Sequence, residues 1–387
     1  MDVQITDIET YIIESPSTPW VLLRVETDAG VHGIGEGTVH GKARSVATAV
    51  ENMRDHFIGA APFDTERLWQ TMYRDEWFAQ NLINTSVISA VDIACWDIKG
   101  KILDVPLYEL LGGKVHEELR TYANGWCDMH RCSPEEFAAG AADVIADGYD
   151  ALKFDPFGTS WQRMTRAQMN HAIEIIRAVR EAVGPSIDLF LEGHGRFTPG
   201  TAVEIADKTE DFDLSWFEEP TPPDNLDTLR QVAATSTVPI ATGERAMAKF
   251  GFRDILSQTD VDVIQPDLAN AGGITEGKKI AALAEAEHVS IAPHNPQSPL
   301  MTAVYAHIDS TLPNFMIQEV FEDYSVDWRH DLFDTPVVIE DGFLQIPNGP
   351  GIGVDLNPDV VAEHELDDGD SIRTIHHFEG GWEEEIR

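Results

Sequence analysis

Residues Ile187 to Phe197 read IDLFLEGHGRF. The stretch starts as an apolar run of the kind that becomes a buried strand. It ends in Glu192, His194 and Arg196, with Gly193 and Gly195 flanking the histidine. A strand that breaks surface and carries solvated charge at its tip would account for one such ending. The ending recurs, however. Glu218 follows the run LSWF and Glu244 follows PIATG, so the three glutamates stand 26 residues apart.

The runs on either side extend the pattern. LRTYAN, ALKFD, IDLFLEGH, LSWFEEP, PIATGE, VIQPD, SIAPH and FMIQE succeed one another. Helix-length connections such as RAQMNHAIEIIRAVREAVG, DTLRQVAATS and ITEGKKIAALAEAEH lie between them. From the third run onward the starts are roughly 24–27 residues apart, the period of a β/α barrel unit. Strands joined by helical crossovers are parallel, which points to a (β/α)7β barrel, a modified TIM barrel. A doubly wound open sheet is the alternative. It calls for a Gly-rich phosphate turn after the first strand, and LRTYANGWCDM supplies none.

Upstream the period differs. ITDIETYIIE, WVLLRVETDAG and VHGIGEG read as strands, and Gly41 to Leu111 reads as helices closed by Gly112 and Gly113. The expected organisation is an α+β unit over 1–115, the barrel over 116–325 and a C-terminal segment over 326–387. The last opens with a hairpin-like VVIEDGFLQIP and is expected to pack back on the N-terminal unit. No low-complexity linker separates these parts.

The chain has 387 residues, 43% of them hydrophobic, enough for one large domain and a smaller one. No run approaches the roughly 20 apolar residues of a membrane span, and the N-terminus shows no signal-peptide pattern, so the expected location is cytoplasmic. Cys95, Cys127 and Cys132 are too few for a disulfide framework, and Cys127, His130 and Cys132 fit no zinc spacing. The formal charge is −40, from 67 acidic against 27 basic residues. That balance argues against nucleic acid and anionic membrane as partners. Acid spread evenly along a lysine-poor chain suits a protein of a halophile, where salt screens the self-repulsion.

A barrel carries its active site at the C-terminal ends of its strands. Glu192, Glu218 and Glu244 would therefore meet at one rim, where their repulsion calls for a cation. An all-oxygen site suits Mg²⁺, with ligands at about 2.0–2.1 Å. His194, two residues past Glu192, would point the same way on extended backbone. His294 ends the seventh run and Asp267 the sixth, so Asp267 can set the histidine's tautomer and basicity. One histidine can act as base and the other as acid. Glu319 ends the eighth run and Lys153 the second; with Arg196 they are the substrate-binding candidates.

These residues resemble the enolase superfamily in its mandelate racemase and muconate lactonizing branch. The resemblance runs over nearly the whole chain. GIGEGTVHGKARSVATAVE and WDIKGKILDVPLYELLGGK look like that branch's capping domain. EGHGRF, FEEP, TGER, VIQPD with NAGGITEGKKIA, and IPNGPGIGV look most like galactonate dehydratases and related acid-sugar dehydratases. The resemblance implies that Glu192, Glu218 and Glu244 hold Mg²⁺, which binds the carboxylate of a sugar acid and stabilises the enediolate. It implies His294, oriented by Asp267, as the base that takes the α-proton. His194 would protonate the departing 3-hydroxyl, to give a 2-keto-3-deoxy acid. Glu319 would hydrogen-bond the substrate carboxylate. The SPSTPW loop with Trp77 and Phe78 would cap the pocket, and the protein would be a homo-oligomer, octamer or dimer.

Two departures stand out. Glu192 occupies a position where many relatives carry aspartate, and KFDPFG replaces their Lys-x-Asn or Lys-x-Lys. Asp155 near the pocket would disfavour diacid sugars. The alternatives on the same residues are a racemase or epimerase using His294 and Lys153, and a sugar-acid-binding barrel without turnover. A cycloisomerase would want a lysine where Asp267 stands.

Overall fold

A computed structural model describes residues 2–15, 18–127, 133–321, 326 and 328–367. His130 and Cys132 lie outside the described residues, as do Pro16 and Ser17 of the SPSTPW loop. Cys95 is buried.

The chain opens with an antiparallel meander of β1 (Ile5–Ile13), β2 (Trp20–Thr27) and β3 (His32–Glu36). Four helices follow: α1 (Ala43–Phe57), α2 (Thr65–Asp75), α3 (Leu82–Leu103) and the single turn α4 (Leu107–Leu110). Helix α3 is buried along nearly its whole length, because it lies between the meander and the second half of the chain. Strand β3 reads HGIGE, and its glycines alternate with period two on the face that meets α3. A Cβ on Gly35 would stand 2.0 Å from the carbonyl oxygen of Ala90. Only glycine lets strand and helix backbones approach so closely.

Eight parallel strands then alternate with seven helices. They are β4 (Leu119–Asn124), α5 (Pro134–Ala146), β5 (Ala151–Phe154), α6 (Arg166–Val183), β6 (Asp188–Glu192), α7 (Pro199–Thr209), β7 (Trp216–Glu218) and α8 (Leu226–Ala233). The series continues with β8 (Ile240–Thr242), α9 (Ala248–Gln258), β9 (Val263–Ile264), α10 (Gly273–Ala286), β10 (Ser290–Ile291), α11 (Pro299–Asp309) and β11 (Gln318–Phe321). Each strand from β4 to β10 pairs with the next, and β11 returns to pair with β4. The Ile291 N–H donates to Asn314 and the Met316 N–H to Ile291, which closes the ring. The fold is the (β/α)7β barrel, not an open doubly wound sheet. Tyr122, Ala151, Phe190, Trp216, Ala241, Val263, Ala292 and Ile317, one from each strand or its extension, fill the interior. Phe190 and Trp216 stack with centroids 3.6 Å apart. The barrel is thus a packed core with chemistry only at its rim.

The hairpin expected in the tail forms as β12 (Ile339–Glu340) and β13 (Phe343–Leu344), turning through Asp341 and Gly342 at positive φ. The hairpin itself is part of the barrel sheet. Strand β13 adds to the barrel, antiparallel to β4. The chain on both sides of it meets the N-terminal elements: ahead of it Trp328 packs edge-on against Trp20 of β2, with ring centroids 6.0 Å apart. Ile352 N–H donates to Asp97 on α3, and Asp355 pairs with His32 at 2.7 Å. Helix α12 (Pro358–His364) leads to Leu366, whose N–H donates to Ile12 of β1. Among the described residues no helix is long and apolar enough to cross a membrane.

Candidate active site

Side chains two residues apart on a strand share a face. Each interior residue therefore has a partner one layer nearer the C-terminal rim. Ala151 is followed by Lys153, Phe190 by Glu192, Trp216 by Glu218, Val263 by Gln265, Ala292 by His294 and Ile317 by Glu319. The apolar layer is the floor of the site and the polar layer is its chemistry. Glu192 and Glu218 are paired in register across β6 and β7.

Glu244 joins them differently. Glu218 stands opposite Ala241 on β8, and the next position on that face is Gly243, whose φ is +138°. Glu244 enters from the turn after the strand. The equal sequence spacing therefore does not mean equal height. The carboxylates of Glu192, Glu218 and Glu244 nonetheless bring oxygens within 4.8 Å of one another. Lys153 Nζ sits among them, 2.6 Å from Glu218, 3.4 Å from Glu192 and 2.9 Å from Glu319. Burial pushes the Glu192 carboxyl well up, and neighbouring Glu218 and Glu244 push the same way against Lys153. For Glu244 burial is opposed by Arg245, 3.0 Å away, and by His294, which together hold it below the usual carboxylate range. The three carboxylates converge on one point, and such an all-oxygen donor set is that of a hard divalent ion.

His294 lies against this cluster, Nε2 3.2 Å from Glu244. Its Nδ1 is 3.0 Å from Asp267 Oδ2, which also accepts from Gln297 at 2.6 Å. Burial works against the charged imidazole, but Glu244, the Asp267 hydrogen bond and Glu319 outweigh it and raise the pKa to about 9. Tyr305 of α11 ties the two rim turns together. Its hydroxyl donates to the His294 carbonyl and accepts from the Leu268 N–H.

His194 reaches the rim by a route other than extended backbone. Its φ is +48° and that of Gly195 is +66°, a left-handed turn. Four contacts hold it. Gly193 and Gly195 N–H donate to Glu218 and Glu219 carbonyls, His194 N–H donates to Glu192 Oε1 at 2.5 Å, and Arg245 donates to the His194 carbonyl. The extra methylene of Glu192 lets one of its oxygens reach back to its own turn. Nδ1 of His194 lies 2.6 Å from Asp155 Oδ2.

Two expectations are corrected here. Arg196 does not line the pocket. It is fully buried, and its guanidinium donates to the carbonyls of Gly193 and Gly158 and to Asp155. The charge of Asp155 is met by that guanidinium and by His194, which removes the electrostatic reason for excluding diacids. Glu319 is buried with both oxygens engaged, Oε1 by Asn124 and Lys153 and Oε2 by Asn295 N–H at 2.7 Å. Trp77 and Phe78 stand out to solvent, 91% and 77% exposed.

Several members of the site carry no sequence signal of their own. Gln265 and Trp216 donate to Glu218, Gln297 holds Asp267 and Asn124 holds Glu319. Glu36, at the end of β3, accepts from Ser298 at the N-cap of α11 and from Thr38, and burial pushes its carboxyl up to about 7. The second glutamate of FEEP, Glu219, could have been found by adjacency. It braces Thr242, Gly243 and Arg245 beneath Glu244.

Known proteins share this architecture. Residues 8–112 match the mandelate racemase / muconate lactonizing enzyme N-terminal domain, and residues 136–360 match the enolase C-terminal domain-like family. A D-xylonate dehydratase from Haloferax volcanii is 37% identical, over 94% of this chain and 89% of its own length. A D-galactonate dehydratase from Ralstonia pickettii is 36% identical, over 93% and 94%. A solved mandelate racemase/muconate lactonizing enzyme from Jannaschia sp. CCS1 superposes with a TM-score of 0.89 at 32% identity, covering 95% of this chain and 99% of its own. Matched over both domains and carrying the carboxylate triad at the barrel rim, this chain belongs to the enolase superfamily, in its mandelate racemase/muconate lactonizing enzyme branch.

Proposed function

We propose that the protein is a Mg²⁺-dependent acid-sugar dehydratase, a lyase that converts an aldonate into a 2-keto-3-deoxy acid. The observation that carries the reading is His294, oriented by Asp267 and set 3.2 Å from a glutamate of the triad, with His194 on the far side of the same rim. The names of the relatives above support the same class. Glu192, Glu218 and Glu244 fit a divalent ion, since three carboxylates within 4.8 Å otherwise repel. What Mg²⁺ supplies there is neutralisation of the charge that gathers on the substrate carboxylate as the α-proton leaves.

His294 takes the α-proton at Nε2, with Nδ1 held by Asp267. The electron pair left at C2 forms a C2–C3 double bond as the C3–O bond breaks. His194 gives a proton to the departing oxygen, so that water leaves, and the enol tautomerises to the keto acid. Lys153 is held among three glutamates, which makes it a poor second base and disfavours racemisation. Homo-oligomeric assembly, a cytoplasmic location and a place in sugar catabolism belong to this proposal through the resemblance alone.

The test is a panel of aldonic and aldaric acids, offered to the purified protein in multimolar KCl with Mg²⁺ and read as 2-keto-3-deoxy acid. Turnover of one or two acids is expected, lost with His294→Asn and on chelation. No keto acid from any member would overturn the reading.

A further inference from the structure

The rim holds a second aspartate–histidine pair, built like the first. Asp267 Oδ1 accepts the N–H two residues on, from Ala269 at 2.9 Å, and Oδ2 is shared by His294 Nδ1 and Gln297. Asp155 Oδ1 likewise accepts the N–H two residues on, from Phe157 at 2.9 Å, and Oδ2 is shared by His194 Nδ1 and Arg196. The pairs stand on different strands, β5–β6 and β9–β10, and differ in the second donor. It is a neutral amide beside His294 and a guanidinium beside His194.

We propose that Asp155, clamped by Arg196, is the positioning residue for His194: it fixes the proton on Nδ1 and commits Nε2 to the proton that leaves with the 3-hydroxyl. This rests on the dehydratase reading above. The chemistry follows from donors and acceptors. An ionised carboxylate only accepts, so the atom 2.6 Å from it must be an N–H. Asp155 is buried, but Arg196 and His194 beside it keep its carboxyl well below the usual range. Arg196 is itself immovable, with Nε on Gly193, one terminal nitrogen on Gly158 and the other on Asp155. The clamp thus joins the β5 rim turn to the left-handed turn that carries His194. A histidine on such a turn has no strand register to aim it, so a side-chain partner must. The departure of this chain from Lys-x-Asn or Lys-x-Lys acquires a purpose: the aspartate serves the acid side of the reaction, and the base side has its own.

The experiment compares Asp155→Asn with His194→Asn and wild type in D2O. Both keto-acid release and deuterium at C2 of recovered substrate are followed. Asp155→Asn is expected to lower kcat by roughly 100-fold or more, within the range set by outer-sphere carboxylates and triad aspartates, with KM changed far less. Deuterium in recovered substrate should rise relative to keto acid, as in His194→Asn, because His294 still removes the proton while the leaving group stalls. A kcat within about threefold of wild type, or an unchanged ratio of exchange to elimination, would overturn the proposal. Because Asp155→Asn strands a buried guanidinium, Asp155→Asn/Arg196→Met is made in parallel, and the same ratio is read from whichever folds. Imidazole ¹⁵N spectra of the holoenzyme, assigned with His194→Asn, keep the pairing testable if no acid is turned over. They should show His194 protonated at Nδ1 in wild type and not so fixed in Asp155→Asn. A wild-type His194 protonated at Nε2 alone would refute the positioning role independently of the substrate.

Discussion

Asp92 lies midway along α3, where the N-terminal elements meet the barrel. It is 2% exposed, accepts the Thr275 N–H at 2.9 Å and faces the Thr275 hydroxyl at 2.5 Å. Burial pushes its carboxyl from 3.8 up to about 7, although the Thr275 hydrogen bonds and the charge of Lys99 act in the other direction. The consequence for stability has a definite sign. Below about pH 4 folded and unfolded chains both hold the proton and Asp92 contributes nothing. Between about 4 and 7 the folded chain keeps a proton that the unfolded chain has lost, so stability falls as pH rises. Above 7 both states are ionised and the cost is constant. A gap of about 3 pH units at 1.36 kcal/mol each sets a ceiling of about 4 kcal/mol. Asp92→Asn removes this titration while keeping the contacts, since the amide oxygen can accept from Thr275 N–H and the NH2 can donate to its hydroxyl. Urea unfolding of both proteins at constant high salt, from pH 4.5 to pH 8, is the assay. The variant's stability relative to wild type is expected to rise with pH across that window by a few kcal/mol, toward the ceiling. Parallel stability curves would refute the reasoning, because the pH dependence common to the rest of the chain cancels in the difference.

Two further outcomes are expected. Gly35→Ala should cost more than the roughly 1–3 kcal/mol of an overpacked flexible site, since its Cβ meets the Ala90 backbone at 2.0 Å, and so lower the thermal midpoint markedly; an unchanged midpoint would mean that β3 and α3 can part freely. Mg²⁺ added to chelated protein should stabilise it by linkage, by about 2.7 kcal/mol at a hundredfold excess over Kd, and so raise the midpoint, and Glu218→Gln should abolish that shift. An equal shift in the variant would place the ion elsewhere.

How far the residue pattern could be read differs from element to element. The eight barrel strands are short apolar bursts that end in polar groups, and the helices between them have their own period, so order, number and parallel sense are all local information. The carboxylates Glu192, Glu218 and Glu244, the pair His294 with Asp267, and Lys153 were legible for the same reason: in a parallel barrel, residues at strand ends must meet at one rim. Strand β13 was legible as half of a hairpin, but its partner β4 was not, because a two-residue strand carries too little pattern to choose a neighbour.

What the sequence alone determined is therefore the barrel, its rim and the residue types brought there. Tertiary structure decided how those residues are aimed. Glu244 shares the 26-residue spacing but enters from a turn, since pairing register sets its height. His194 looked extended, yet the carbonyls of Glu218 and Glu219 and the side chain of Arg245 hold it in a left-handed turn. Arg196 looked like a substrate ligand and is instead buried against Asp155. Period-two alternation says which face of a strand a side chain takes. It says nothing about turns, where direction is set by hydrogen bonds to residues distant in sequence, and both Glu244 and the Asp155–His194 pair sit on turns.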